Sequence, residues 1–463
     1  MVGEEKTTRR HFVRRSFLKS LTGGIIGGQV IGTATSVEQR RTGRQETTTT
    51  QADGLNVAGR HPVAGAQEVV VQGNHAYVAA TGVRMGDKGG RFGALVIVNF
   101  DDPTQPRTVA RLELPSEEFP TPNTLDAKVN GKVAGLANDA NFPGPGGVAF
   151  YDVSTPAKAR QLSFYNANGG VHNFFIDGDL AYLVINEPHF VDSNGDGEVD
   201  QARIFGNTGI EIVDISDPTR PARAGRWLLR NDRPKFARAG INNSHDLFVQ
   251  DGLAYVAYWD AGVVVLDVND PSDVQVVSQF GAAPQATKQI RPFDLGGDPD
   301  YFDTVFPNRR FNSLPGNAHY VQPSPDGNRV YVGAETFLDE PGGIDIWNVT
   351  NLDSPERVGT IEAPAGGTKE ADAGDGVVLD LEDPEVLRQL RTSHNFDVTA
   401  NTLYTSWYGG GVRVFDIDDP TNPTEIGSYN AGGSAFWTAV FAGNRIVASD
   451  IDRGLVFLQQ PGG

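Results

Sequence analysis

The sequence predicts an all-β chain folded as a seven-bladed β-propeller, and three observations carry that prediction. A single phrase of apolar residues closed by Asp and Pro recurs six times; seven short runs each open a new group of strands; and the composition is that of strands and tight turns. With 55 Gly, 28 Pro and only nine Lys among 39 basic residues, many Val and Ile, and no long helical periodicity, the 463 residues suit short strands joined by turns.

The recurring phrase reads ALVIVNFDDPTQP from Ala94, GVAFYDVSTPAKA from Gly147, GIEIVDISDPTRP from Gly209, GVVVLDVNDPSDV from Gly262, GIDIWNVTNLDSP from Gly343 and GVRVFDIDDPTNP from Gly411, with a truncated RGLVFLQQ from Arg453. Gly starts the third strand of a blade after a turn, and alternate apolar residues pack between blades. The Asp accepts backbone hydrogen bonds in the turn that follows, and the prolines fix that turn before the fourth strand. Asp152, Asp214, Asp267 and Asp416 are therefore structural, with Asn99 and Asn348 in the same role. The phrase resembles the LVIVD repeat. The resemblance covers nearly everything after the N-terminal tether and implies a β-propeller, usually of exported or surface proteins, without implying one activity.

Seven first strands give the blade count: AQEVVVQ, TLDAKVN, VHNFFID, HDLFVQD, AHYVQPS, HNFDVTA and WTAVFAG. The last blade runs out after three strands. LNVAGRHP at residues 55–62 resembles the fourth strand of other blades, as VAGR beside RAGR at 223–226 shows, so an N-terminal strand is expected to complete the C-terminal blade and leave no free edge. The propeller is thus expected over residues 55–463.

Ahead of it, Arg14-Arg15-Ser16-Phe17-Leu18-Lys19, a weakly apolar Gly-rich stretch and small residues resemble a twin-arginine export signal over residues 1–35. The apolar stretch is too short and too rich in glycine to span a membrane stably. Residues 36–54 are polar and Thr-rich and read as a disordered tether. The expected location is extracellular or at the cell surface.

The formal charge of -19 argues against nucleic acid as a partner and fits a surface adapted to high salt. The chain has no Cys, which leaves His and carboxylates as its strong metal ligands. No nucleophile elbow, P-loop or dinucleotide fingerprint occurs.

Two sets of residues carry candidate chemistry. Aligning the first strands puts His172, His245, His319 and His394 at one equivalent place, with Gln67, Leu125 and Trp437 there in the other blades, so the histidines are expected to gather at one mouth of the channel. Asn173, Asp246 and Asn395 follow them, and the second strands end near Glu187, Asp260, Glu335 and Asp450, expected at the same mouth. Imidazoles with carboxylates suit Zn, Cu, Fe or Mn, and the gap in the ring would leave coordination open for water or substrate; the same histidines could instead bond neighbouring blades and plug the channel. The second set is VDSNGDGEVDQ, in which Asp192, Asn194, Asp196, Glu198 and Asp200 fit a Ca2+ loop with Gly197 at its sharp turn, though Arg203 stands where an EF-hand has its bidentate Glu. Long inserted segments at 281–316 and 364–393 lead into the strands of His319 and His394 and are expected to decorate that face. The two functions in view are a binding module for a protein, glycan or small molecule on the loop-rich face, and a metal-dependent, possibly redox, enzyme.

Overall fold

The computed structural model describes residues 54–83, 91–139, 145–167, 169–186, 189–191, 201–203, 208–236, 243–287, 314–336, 340–365 and 384–461. The expected signal, the tether up to residue 53 and the Ca2+ loop lie outside the described residues, as does much of both inserted segments.

Seven four-stranded antiparallel sheets form the molecule, and an eighth sheet is a two-stranded hairpin. The innermost strands are Ala66–Gln72, Ala127–Asn130, Phe174–Asp177, Asp246–Gln250, Ala318–Pro323, Phe396–Val398 and Phe436–Phe441, which define blades one to seven. Each packs against the innermost strands on either side, and the seventh packs against the first. The sheets therefore close a ring, the predicted seven-bladed propeller. In blade seven, Val57–His61 pairs antiparallel with Gly454–Gln459 as the fourth strand, which is the expected closure.

The repeated phrase does what its chemistry dictates. The side chains of Asp152, Asp214, Asp267 and Asp416 accept the backbone N–H groups of Ser154, Ser216, Asn269 and Asp418 at 3.1, 2.8, 3.0 and 2.9 Å. Asn99 and Asn348 receive Asp101 and Thr350 in the same way. Apolar residues of the phrase fill the clefts between sheets: Ile210 and Ile212 pack against blade four with Val256 and Val264, all buried. Each such side chain removed from water contributes about 1.5–3 kcal/mol.

The fourth strands explain the VAGR and RAGR pair. A Cβ added to Gly59 or Gly225 would lie 1.8 or 1.6 Å from the carbonyl oxygen of Pro103 or Pro271, in the Asp-Pro turn of the next blade. Glycine is required there by close approach of two backbones. Where the place holds serine, the hydroxyl uses the same contact: Ser163 donates to the Pro218 carbonyl at 2.7 Å and Ser278 to that of Leu352 at 2.6 Å. Neighbouring blades are thus latched at their outer edges by the repeat itself.

Between the second and third strands of blade three, His189–Val191 pairs with Gln201–Arg203 as the hairpin that flanks residues 192–200. Among the described residues no helix is long and apolar enough to cross a membrane.

Candidate metal centre at the channel mouth

The histidines sit where the inner strands begin, and local irregularity turns them inward. In blade five the pairing skips from Ala318 with Ala334 to Tyr320 with Gly333, leaving His319 in a bulge. In blade seven it skips from Phe436 with Asp450 to Thr438 with Ser449, leaving Trp437 in one. In blade four His245 donates its N–H to the Ala257 carbonyl, while Ala257 is also the ladder partner of Asp246. A bulge re-aims side chains, so a histidine and its successor can both approach the axis.

The rings form one continuous row. Centroids of His172 and His245 are 4.4 Å apart, those of His245 and His319 4.1 Å, and those of His319 and His394 4.5 Å. Trp437 ends the row 4.2 Å from His394. The sequence alignment of the four histidines and Trp437 therefore corresponds to real proximity.

Backbone contacts fix the tautomers. His245 Nδ1 lies 3.2 Å from the His319 carbonyl oxygen, and His394 Nδ1 lies 2.6 Å from that of Trp437, so each imidazole donates to the equivalent residue of the next blade. His172 Nδ1 instead pairs with Asp139 Oδ2 at 2.9 Å. With Nδ1 carrying the proton in all three, the lone pair of a neutral ring falls on Nε2. His319 Nε2 faces Glu335 at 3.3 Å, and His394 Nε2 stands 3.8 Å from the same carboxylate. Tyr408 donates its hydroxyl to Glu335 at 2.6 Å. His245, His319 and Glu335 each offer one ligand atom within 4.8 Å of the others.

Burial shapes the charges. His319 and His394 are 2 % and 1 % exposed, and burial followed by the neighbouring imidazoles keeps His319 well below its usual range. Burial, against the bond to Trp437, lowers His394 to about 3. His245 is likewise held well down by burial and by His172 and His394. His172 departs from the others: burial opposes its charge, but the hydrogen bond and charge of Asp139, with Glu335 and Asp126 behind them, raise its pKa. Glu335 is raised to about 8 by burial, against the Tyr408 bond and the charge of His172. The row thus has imidazoles inside whose charging burial opposes, and at the end toward blade two His172, whose charged form Asp139 favours; the His172 and Asp139 side chains there are 23 % and 27 % exposed.

The expected acids divide. Glu335 reaches the histidines. Asp260 accepts from the Gln285 side chain at 3.1 Å and its backbone carbonyl from Ala283 at 2.7 Å, so it anchors the segment leaving blade four. Asp450 accepts from the N–H of Asp452 in the turn that follows it. Glu187 and the whole Ca2+ set, Asp192, Asn194, Asp196, Glu198 and Asp200, lie outside the described residues. The three described acids are not equivalent, because they stand at different distances past the ladder. The place that faces the histidines is two residues beyond the second-strand residue opposite the histidine's successor, and it holds Asp139, Asn186, Trp259, Glu335 and Tyr408 in blades two to six. Trp259 meets His245 edge-on at 5.1 Å and Tyr408 meets His394 at 4.7 Å. Both residues have positive φ, 40° and 45°, in identical turns whose hydrogen bonds run from Tyr258 to Gly262 and from Trp407 to Gly411. Non-glycine residues held there signal backbone strain that the surroundings enforce.

Comparison with known proteins agrees with the blade pattern. The family model of the LVIVD repeat matches residues 64–84, 205–228, 242–280 and 397–431. LVIVD repeats are thus detected in blades one, three, four and six. Two of the matches, 242–280 and 397–431, run through the strands of one whole blade each, four and six, and the other two cover half a blade. No curated protein matches the chain. Solved propellers match at the level of fold alone: the Myceliophteria thermophila Cps50 (Swd1) β-propeller domain at 10 % identity and TM-score 0.52, over 87 % of this chain and 98 % of that one, and the RRP9 WD40 repeats at 9 % identity and TM-score 0.53, over 88 % and 99 %. The matched segment of blade four includes His245.

Proposed function

We propose that this is an exported propeller whose histidine mouth binds a divalent transition metal and works as a metal-dependent enzyme. The observation that carries the proposal is the tautomer pattern: His245 and His394 each commit Nδ1 to a backbone oxygen and leave Nε2 as the lone-pair atom, beside His319 Nε2 and the Glu335 carboxylate. Metal-binding histidines show that arrangement, in which the outer hydrogen bond orients the ring and raises its basicity. His245, His319 and Glu335 are the ligands of first choice, and modest side-chain rotation would bring them to bond lengths of about 2.0–2.2 Å. Two imidazoles and one carboxylate with open positions suit non-haem Fe(II) or catalytic Zn, and also accept Mn or Cu. A metal held so acts as a Lewis acid or a redox centre. Blades one and two, which contribute Gln67 and Leu125, leave the approach to the row from the His172 side.

The remainder of the proposal rests on sequence. The twin-arginine signal directs the protein outside the cell, the acidic surface suits salt, and the sequence of residues 192–200 is that of a loop for a structural Ca2+. Metal analysis of protein purified without chelator tests both sites together. About one transition metal per chain is expected in the native protein and none in the His245→Ala, His319→Ala double variant, while Asp196→Asn loses Ca2+ alone. A native protein that carries no transition metal, even after incubation with Fe(II), Zn or Mn, refutes the enzyme and leaves the exported binding module, with a protein, glycan or small-molecule partner on the loop-rich face.

A further inference from the structure

Below the histidine row the channel widens into a cavity of about 200 Å³ that the metal centre does not use. We infer that this cavity binds a small organic ammonium ion, with Asp246 and Gln322 as its hydrogen-bond acceptors.

Most of the polar groups around it are paired, and two buried acceptors are not. The Lys128 ammonium is taken by Asp126, which is completely buried, with Glu68 at 3.8 Å on its other side. Glu68 also accepts from Asn395 at 2.7 Å and from Thr438. Asp397 receives the Phe441 N–H at 2.8 Å and the Gln322 amide at 3.2 Å. Asp246 accepts the Leu247 N–H at 2.6 Å through Oδ1, but Oδ2 has no partner, although the residue is only 1 % exposed. Gln322 gives its amide N–H to Asp397, and its Oε1 accepts nothing, at 7 % exposure. Both residues line the cavity, and a buried acceptor without a donor costs about 1–3 kcal/mol. Lys128 is committed to Asp126 and Glu68, so what these two acceptors lack is a donor of their own.

The other walls select which cation. Phe175 and Phe248, with ring centroids 4.6 Å apart, line one side, and Tyr320 and Phe441 line others. Aromatic faces attract organic cations and offer nothing to a hydrated metal ion. Two free acceptors also fall short of the six to eight oxygens that Ca2+ takes. A volume of about 200 Å³ is that of roughly six or seven water molecules, enough for a cation of about that many non-hydrogen atoms.

Calorimetric titration of the full chain with butylammonium chloride, in parallel with butan-1-ol and with sodium chloride, tests the inference. Saturable binding of one butylammonium per chain is expected, with no comparable binding of the alcohol, and Asp246→Asn should weaken it at least about tenfold, as loss of a charged hydrogen-bond partner does. Gln322→Leu provides a second test at the other acceptor, with a fall of several-fold, should the first variant not fold. Equal binding of butanol, displacement of butylammonium by sodium at matching concentration, or affinity unchanged in whichever variants fold overturns it.

Discussion

The outer turns and the channel axis are made by the same repeat, yet they behave in opposite ways. At the turns, six blades repeat one solution, in which an Asp or Asn accepts the backbone N–H two residues on, and in five places, Gly59, Ser163, Gly225, Ser278 and Gly359, a small residue of the fourth strand meets a turn carbonyl of the next blade. At the axis, equivalent places hold different chemistry, with His in four blades and Gln, Leu and Trp in the others, and polar atoms of Gln67, Asp246, His319, Gln322, His394 and Asn395 stay without a hydrogen-bond partner. A repeat can keep its fold in the part that recurs and place its chemistry in the part that varies. Unpaired buried polar atoms are costly, and those on the axis sit beside the channel, where a ligand could complete them.

That contrast can be broken by substitution at either end. The largest expected effect is at the edge latch: Gly225→Val forces a side chain into the Pro271 carbonyl and should cost about 1–3 kcal/mol or more of stability, read as a lowered midpoint in urea, with the metal content of the folded fraction unchanged. Coupled loss of metal in folded protein would show that turn and axis are not separable. Next comes Tyr408→Phe, which removes the hydroxyl on Glu335 without touching a proposed ligand. Metal affinity should fall about tenfold, as for other outer-shell partners, with the urea midpoint nearly constant. The smallest effect, spread over many residues, is with acid. Hydrogen bonds from Ser154, Ser216 and Ser272 hold the carboxyls of Asp152, Asp214 and Asp270 below the usual range. A carboxyl whose folded pKa is depressed contributes stability above its unfolded pKa, near 3.8, and loses it as pH falls through the folded value. The contribution of these carboxyls should therefore be constant down to about pH 5 and be lost below about 4. Asn at Asp214 keeps the acceptor but cannot titrate, and should flatten that decline slightly in an acid titration followed by circular dichroism.

The sequence made the periphery legible because it is periodic. The Asp-Pro turns, the blade count and the closing strand all follow from a phrase whose chemistry is local, so spacing alone places them. The histidine register was legible for the same reason, since each His stands at or just before the start of a first strand. The acids were not, because Asp260, Glu335 and Asp450 end their strands in turns of unlike length, and the strand ends alone mix places that differ by a residue or two. Counting forward from the ladder would have found Asp139, which reads in sequence as one polar residue in LANDAN. The aromatic pair Trp259 and Tyr408 did leave a trace, in the common spacing of YWDAGV and WYGGGV, but their positive φ is set by contacts across blades. The bulges that turn successive residues toward the axis have no local signature at all.

The closing strand gives the fold a timetable. Val57–His61 meets its partner only when Gly454–Gln459 exists, roughly 400 residues later. At synthesis rates of about 5–20 residues per second, the first strand made waits some 20–80 s beside an open sheet edge. A barrel stave hammered in first but hooped last, it makes arrival of the C-terminal segment the event that seals the ring, and a chain stalled short of residue 454 would carry two unsealed edges.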